Sequence, residues 1–184
     1  DFLYQTAVLE RMNASLCNAL TERQDSQTIL THLEQANLFL VSLDDERRWY
    51  RYHHLFADLL RSRLERSQPD LIAILHRRAS QWYESQGLLR DAVEHSFAAQ
   101  DWANAARLVG DASETMFKHG EYLTLLHWCS RLPQPVVYSS GSMCLIHAWA
   151  ALMASDFDVA APLLEHAEQL AEPGSHFLGA VSSA

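Results

Sequence analysis

No glycine-rich phosphate-cradling loop stands in this sequence. Six glycines are scattered through 184 residues without clustering, and neither GxxxxGK followed by Ser or Thr nor GxGxxG occurs. The backbone loops of a P-loop or a dinucleotide turn are therefore missing. HExxH and GxSxG are absent as well, which removes the zinc-protease helix and the serine-hydrolase elbow. Cysteine is scarce: Cys17, Cys129 and Cys144 form no CxxC and no zinc-type spacing with histidine. Three thiols so far apart argue against a disulfide framework and for a reducing cytoplasm. No apolar run approaches the ~18 residues of a membrane span. Asp1-Phe2-Leu3-Tyr4 shows neither an initiator Met nor a signal-peptide layout, and Phe177 to Val181 ends without a terminator; both ends read as cut from a longer chain. Positive charge is short too. Fourteen Lys and Arg face 23 Asp and Glu, a formal charge of -9, which disfavours a phosphate backbone as partner unless a local basic patch acts alone.

What is present is a folded chain. Hydrophobic residues make up 48% and charged residues 20%, the balance of a globular domain or two small ones. Residues 2–20 place Leu3, Val8, Leu9, Met12, Leu16, Cys17 and Leu20 on one helical face. Asp25-Ser26 offers caps for a second helix through Ile29, Leu30 and Leu33, with Asn37 suited to its end. Leu38 to Val41 and Trp49 to Tyr52 flank the polar run Asp44 to Arg47 and predict a β-hairpin. Leu55, Phe56, Leu59, Leu60 and Leu64 then line a helix. Helix, helix, hairpin, helix is the order of a winged-helix module, assigned here to residues 1–67.

From Pro69 the strand grammar stops, and residues 68–184 read as helical pairs. Pro69 suits a helix start. Leu71, Ile74, Leu75, Ala79, Trp82 and Tyr83 follow at helical spacing, and Gly87 fits a C-cap. Ala99 to Leu108 and Ala154 to Leu163 share the pattern A-x-D-aromatic-x-x-A-A-x-L, 55 residues apart. Small alanines admit close helix approach, and the aromatic is expected to plug the corner. Tetratricopeptide-like units repeat every ~34 residues, so this echo predicts degenerate pairs, with a generic helical bundle as the alternative. An intervening helix is expected from Glu121 to Trp128, ended by Leu132-Pro133, and Pro162 should delay or bend the last helix. The aromatics Trp82, Tyr83, Trp102, Tyr122, Trp128 and Trp149 are read as inter-helix plugs rather than a ligand groove.

Candidate chemistry is thin. Asp44-Asp45 reads as a solvated turn. Ten histidines stand singly along the chain, apart from His53-His54, whose side chains are expected on different sides of the backbone; no metal site is assigned. Arg47, Arg48, Arg51, Arg61, Arg63 and Arg66 form a basic cluster. Even so, residues 1–66 hold 8 Lys or Arg against 10 Asp or Glu. Surface ion pairs are the favoured reading, with a wing gripping DNA phosphates as the alternative.

Leu38 to Asp45, Trp49 to Phe56, Leu75 to Tyr83, Gly87-Leu88, Ala92 to His95 and Ala99 to Trp102 closely resemble, in this order, the MalT-like, large ATP-binding LuxR-type transcription regulators. The resemblance covers nearly the whole chain. It implies a signal-transducing NTPase of the STAND kind: an upstream P-loop domain binding ATP or ADP, a winged helix, a helical sensor for a small inducer or inhibitory protein, and a downstream LuxR-type DNA-binding domain. The chain then corresponds to the winged helix and the start of the sensor. It is expected to be cytoplasmic and non-catalytic, to bind no cofactor itself and to contact neither DNA nor membrane, while its parent binds and slowly hydrolyses ATP. Related NTPase switches carry a Met-His-Asp-Leu-like motif whose histidine meets the β-phosphate of ADP. Tyr52-His53-His54-Leu55 lies at the matching place, with Tyr52 and His54 where the motif has Met and Asp. The resemblance thus implies His53 as a nucleotide-sensing donor, against a role that merely fixes the hairpin–helix corner. A helical-repeat interaction module without a nucleotide role is the alternative function.

Overall fold

The computed structural model describes residues 1–36 and 39–170. It is mainly α-helical, a winged-helix module with one hairpin followed by helical pairs. By compactness it divides into Asp1–Gln100 and a second unit beginning at Asp101. Asn37 and Leu38, expected at a helix end and a strand start, lie outside the described residues.

The first unit opens with α1 (Phe2–Thr6), α2 (Ala14–Thr21) and α3 (Ser26–Gln35). The single helix expected over 2–20 is thus two helices, broken between Ala7 and Asn13. Asn13 caps α2 by accepting the Leu16 N–H at 2.8 Å, which satisfies an orphan donor of the new first turn. Met12 is diverted to the sheet: its N–H and C=O both pair with Tyr50, each at 2.8 Å. Apolar spacing did not reveal the break because Leu9, Met12, Leu16 and Leu20 are buried in either arrangement.

β1 (Leu40–Ser42) and β2 (Tyr50–Tyr52) pair antiparallel in the register Leu40 to Tyr52, Val41 to Arg51 and Ser42 to Tyr50. Asp44 holds the connecting turn, its carboxylate accepting the N–H of Arg48 at 2.7 Å and of Trp49 at 3.2 Å. The acidic turn is structural. Leu40, Tyr50 and Tyr52 face the core, where the Tyr52 hydroxyl shares a 2.7 Å hydrogen bond with Thr6 and burial pushes the phenol well above its usual range. α4 (His54–Ser67) and α5 (Pro69–Ser85) follow, then α6 (Leu89–Ala98) packed against α5. Pro69 opens α5 as expected, and Gly87 takes the left-handed conformation, φ +72°, that ends it.

The second unit contains α7 (Trp102–Lys118), α8 (Tyr122–Arg131), α9 (Gln134–Tyr138), α10 (Gly141–Met153) and α11 (Phe157–Leu170). α7 packs on α8, and α8 and α11 on α10. Turns after α5, α7 and α10 share one design: a left-handed residue at Gly87, Gly120 or Ser155, with the next N–H bonded back to Tyr83, Met116 or Ala151 at 2.9 Å. This double closure of orphan carbonyls is the Schellman arrangement. The sequence echo maps onto equivalent caps: Asp101 accepts the Asn104 N–H and Asp156 the Val159 N–H, while Ala105, Leu108, Ala160 and Leu163 are buried. The aromatic position does not behave as expected, because Phe157 is 65% exposed and plugs nothing within its unit. α11 starts early and runs through Pro162. Trp128 and Tyr83 are core residues, whereas Trp82, Trp102, Tyr122 and Trp149 are only half-buried. Among the described residues no helix is long and apolar enough to cross a membrane.

Candidate functional site

A polar concavity of the first unit sits where β2 turns into α4. His53 occupies that corner in an extended conformation, φ −58° and ψ 135°. Its N–H donates to the Phe39 carbonyl at 2.7 Å, and its carbonyl accepts from Phe56 at 2.9 Å and Ala57 at 3.0 Å. The main chain therefore fixes the corner while the imidazole stays exposed and caps nothing. His54, one residue on, places its ring centroid 4.4 Å from that of His53 with the planes 33° apart. The two side chains lie together rather than on different sides as expected, because the chain bends between them on entering the helix.

Both rings line a recess of about 250 Å³ together with Arg51, Arg61, Glu10 and Asp58. Arg51 projects from β2 opposite exposed Val41 and has no ion-pair partner among the described residues. Arg61 is tied down: Nε donates to the Ala7 carbonyl at 2.7 Å, one terminal nitrogen lies 3.5 Å from the Leu9 carbonyl, and the other is 3.5 Å from Asp58. Two arginines, Arg61 tied down and Arg51 unpaired among the described residues, thus line the recess with two imidazoles and two carboxylates. Such a recess offers N–H donors of the kind that hold phosphate or carboxylate oxygens.

The remaining arginines are largely spent on the surface. Arg47 pairs with Glu34 at 3.6 Å, Arg48 with Glu46, and Arg63 reaches the Tyr4 hydroxyl at 3.4 Å. Exposed pairs of this kind add little stability. The three cysteines are free and buried, with Cys17 and Cys129 pushed up to about 12 by burial, so none is a poised nucleophile. Among the described residues no three His, Cys, Asp or Glu side chains gather to hold a metal.

Histidines that stood singly in sequence do meet in space. His76 of α5 and His95 of α6 bring their Nδ1 atoms to 2.8 Å, and the His95 ring lies 5.2 Å from that of Tyr83 with the planes 14° apart. Burial lowers both to about 4, helped by Arg61 for His76 and by the neighbouring ring for His95. The turn at Gly87, once known, folds these positions together; spacing alone does not. In the second unit His166 Nε2 approaches the Tyr138 carbonyl at 3.0 Å, and both ring nitrogens of His147 are buried. Neither was legible from single-residue patterns.

Comparison with known proteins places the resemblance on firmer ground. Residues 1–72 match the family model described as the MalT winged helix domain. Over 153 residues, 83% of the chain, it is 37% identical to the serine/threonine-protein kinase PknK of Mycobacterium tuberculosis. Over 168 residues, 91% of the chain, it is 32% identical to the HTH-type transcriptional regulator MalT of Yersinia pestis and 29% identical to that of Vibrio parahaemolyticus. The chain spans only 14% of the kinase's length and 18–19% of the regulators'. The chain is thus a MalT-like segment, its residues 1–72 matching the MalT winged helix domain.

Proposed function

We propose that this chain is the coupling segment of an ATP-dependent LuxR-type transcription regulator, linking the nucleotide state of an upstream P-loop domain to inducer or partner sensing in the helical region. The observation that carries the reading is the recess at the β2–α4 corner of a MalT-type winged helix, where His53 sits beside His54, Arg51 and Arg61. In this reading the exposed His53 imidazole donates an N–H to a phosphate oxygen of ADP held by the neighbouring domain, and the resting state depends on that contact. Loss of the contact shifts the population toward the ATP-bound, self-associating form. A relative named as a kinase and relatives named as HTH-type regulators share this one segment, as befits a module that transmits a state rather than performing the output. The parent binds its nucleotide in a cytoplasmic setting, and DNA contact falls to its downstream domain.

The test uses the full-length protein. His53→Ala should weaken ADP binding about tenfold, the effect of one charge-assisted hydrogen bond, and should raise transcriptional output without inducer. Unchanged ADP affinity together with unchanged inducer dependence removes the nucleotide role and leaves the helical-repeat interaction module.

A further inference from the structure

In the second unit, α8 to α11 surround a groove of about 360 Å³, the size that seats a small organic molecule. Its floor is apolar, formed by the buried side chains of Leu132, Val137 and Leu163 with Val159 beside them. His147 of α10 lines the same groove, and both of its ring nitrogens are buried with no hydrogen-bond partner among the described residues. A buried imidazole without partners is costly, and native structures retain such groups where something is to be bound or done.

A second orphan lies on the facing helix. Pro162 stands in the interior of α11, the position where proline is least tolerated. It has no N–H to give the carbonyl of Asp158 four residues back, so that acceptor loses its helical donor. Asp158 and Pro162 both line the groove, which puts the freed carbonyl on the groove's side of the helix. The electrostatics agree in sign. Asp158 is the one charged residue of the lining, and no Lys or Arg contributes. Burial lowers the His147 imidazole and Asp156 opposes this only in part, so the ring stays neutral at pH 7 and keeps one bare nitrogen. The one charge of the lining is thus a carboxylate, with a freed carbonyl beside it and the neutral Ser130, Gln134 and Tyr138 around an apolar floor.

We propose that this groove binds a small amphipathic amine, its ammonium held by Asp158 through its carboxylate and its freed carbonyl, and its carbon body seated on Leu132, Val137, Val159 and Leu163 beside the His147 ring. An anion is refused there by the Asp158 charge. The inference gives a ligand class to the sensing role proposed above and rests on that reading only for its meaning in the cell. Binding itself is decided by the second unit's own residues.

The experiment is calorimetric titration of the 184-residue chain at pH 7.5 with three matched probes, 2-phenylethylamine, 2-phenylethanol and phenylacetate. The amine should bind saturably at one site, the alcohol about tenfold more weakly, and the carboxylate not at all. Asp158→Asn should weaken the amine about tenfold, and Pro162→Ala, which restores the helical donor to the Asp158 carbonyl, should weaken it as well. Phenylacetate binding as tightly as the amine, no saturable binding of the amine, or amine binding that survives both substitutions overturns the proposal. Should a variant fail to fold, imidazole NMR of the unmodified chain decides: the His147 signals must move on amine titration, and their staying still while heat saturates sinks the assignment. The His53 test with ADP reads a different unit and a different ligand, so each idea can fail without the other.

Discussion

Acidification should loosen the first unit through the His76–His95 pair, and its sign follows from the geometry. With Nδ1 atoms 2.8 Å apart, one ring donates its proton and the other accepts, and because burial lowers both imidazoles both are neutral at pH 7. Protonating both sets two N–H groups against each other in a buried place beside Arg61, with the Tyr83 ring stacked on His95 and closing off water. Each imidazole is lowered from 6.5 to about 4 in the fold. Between those values the unfolded chain binds more protons than the folded one, so stability rises with pH across that window. The contribution is whole above pH 6.5 and disappears as the pH falls toward 4. At pH 5 a ring shifted this far has lost about 2 kcal/mol, and because the two rings share one proton they titrate as a coupled unit and not as two such losses added. Urea unfolding of the chain at pH 7 and pH 5 should show this loss. In the His76→Gln/His95→Gln double variant, whose amides can still bond but cannot titrate, most of the slope should vanish. An equal loss in both proteins, or a chain more stable at pH 5, would refute the reasoning.

Two further expectations concern stability. Ser155 adopts φ +61° at the position where Gly87 and Gly120 close the equivalent turns; Ser155→Gly should therefore raise the thermal midpoint, by about 1 kcal/mol of stability, since the left-handed backbone penalises a Cβ. Tyr52→Phe removes one half of the buried 2.7 Å hydrogen bond to Thr6, whose hydroxyl keeps its 2.9 Å bond to the Phe2 carbonyl, and should cost about 1 kcal/mol in a denaturant titration.

Much of the architecture was legible in the sequence because the fold obeys local rules there. The hairpin shows in the aromatic and branched runs around Asp44, α5 in the Pro69 start and the apolar spacing up to Gly87, and the paired turns in the echo at Asp101 and Asp156. What stayed hidden is tertiary in origin. Met12 leaves a helical pattern because Tyr50 offers it two backbone hydrogen bonds, and no periodicity reports a partner 38 residues away. His53 could be located at its corner from the motif order, but its companions Arg51 and Arg61 converge only through strand register and the pitch of α4. Phe157 repeats Trp102 in sequence without repeating its burial, since side-chain pattern fixes a face and not what covers it. The groove at His147 draws on four helices, and its clue was Pro162, a residue that the helical pattern rates as a mere irregularity.

Arg61 ties the corner recess to the stretch where the first helix breaks. A guanidinium has five N–H groups, and its contacts with the Ala7 carbonyl, the Leu9 carbonyl and Asp58 already engage all three of its nitrogens. Any anion entering the recess must use the few hydrogens left over or pull others from those carbonyls. Both carbonyls belong to the short span that separates α1 from α2 and leads directly into Met12, the rung that clasps the hairpin. Filling the recess therefore tugs on the seam between the opening helices and the wing, and a local occupancy becomes a mechanical load on the winged helix.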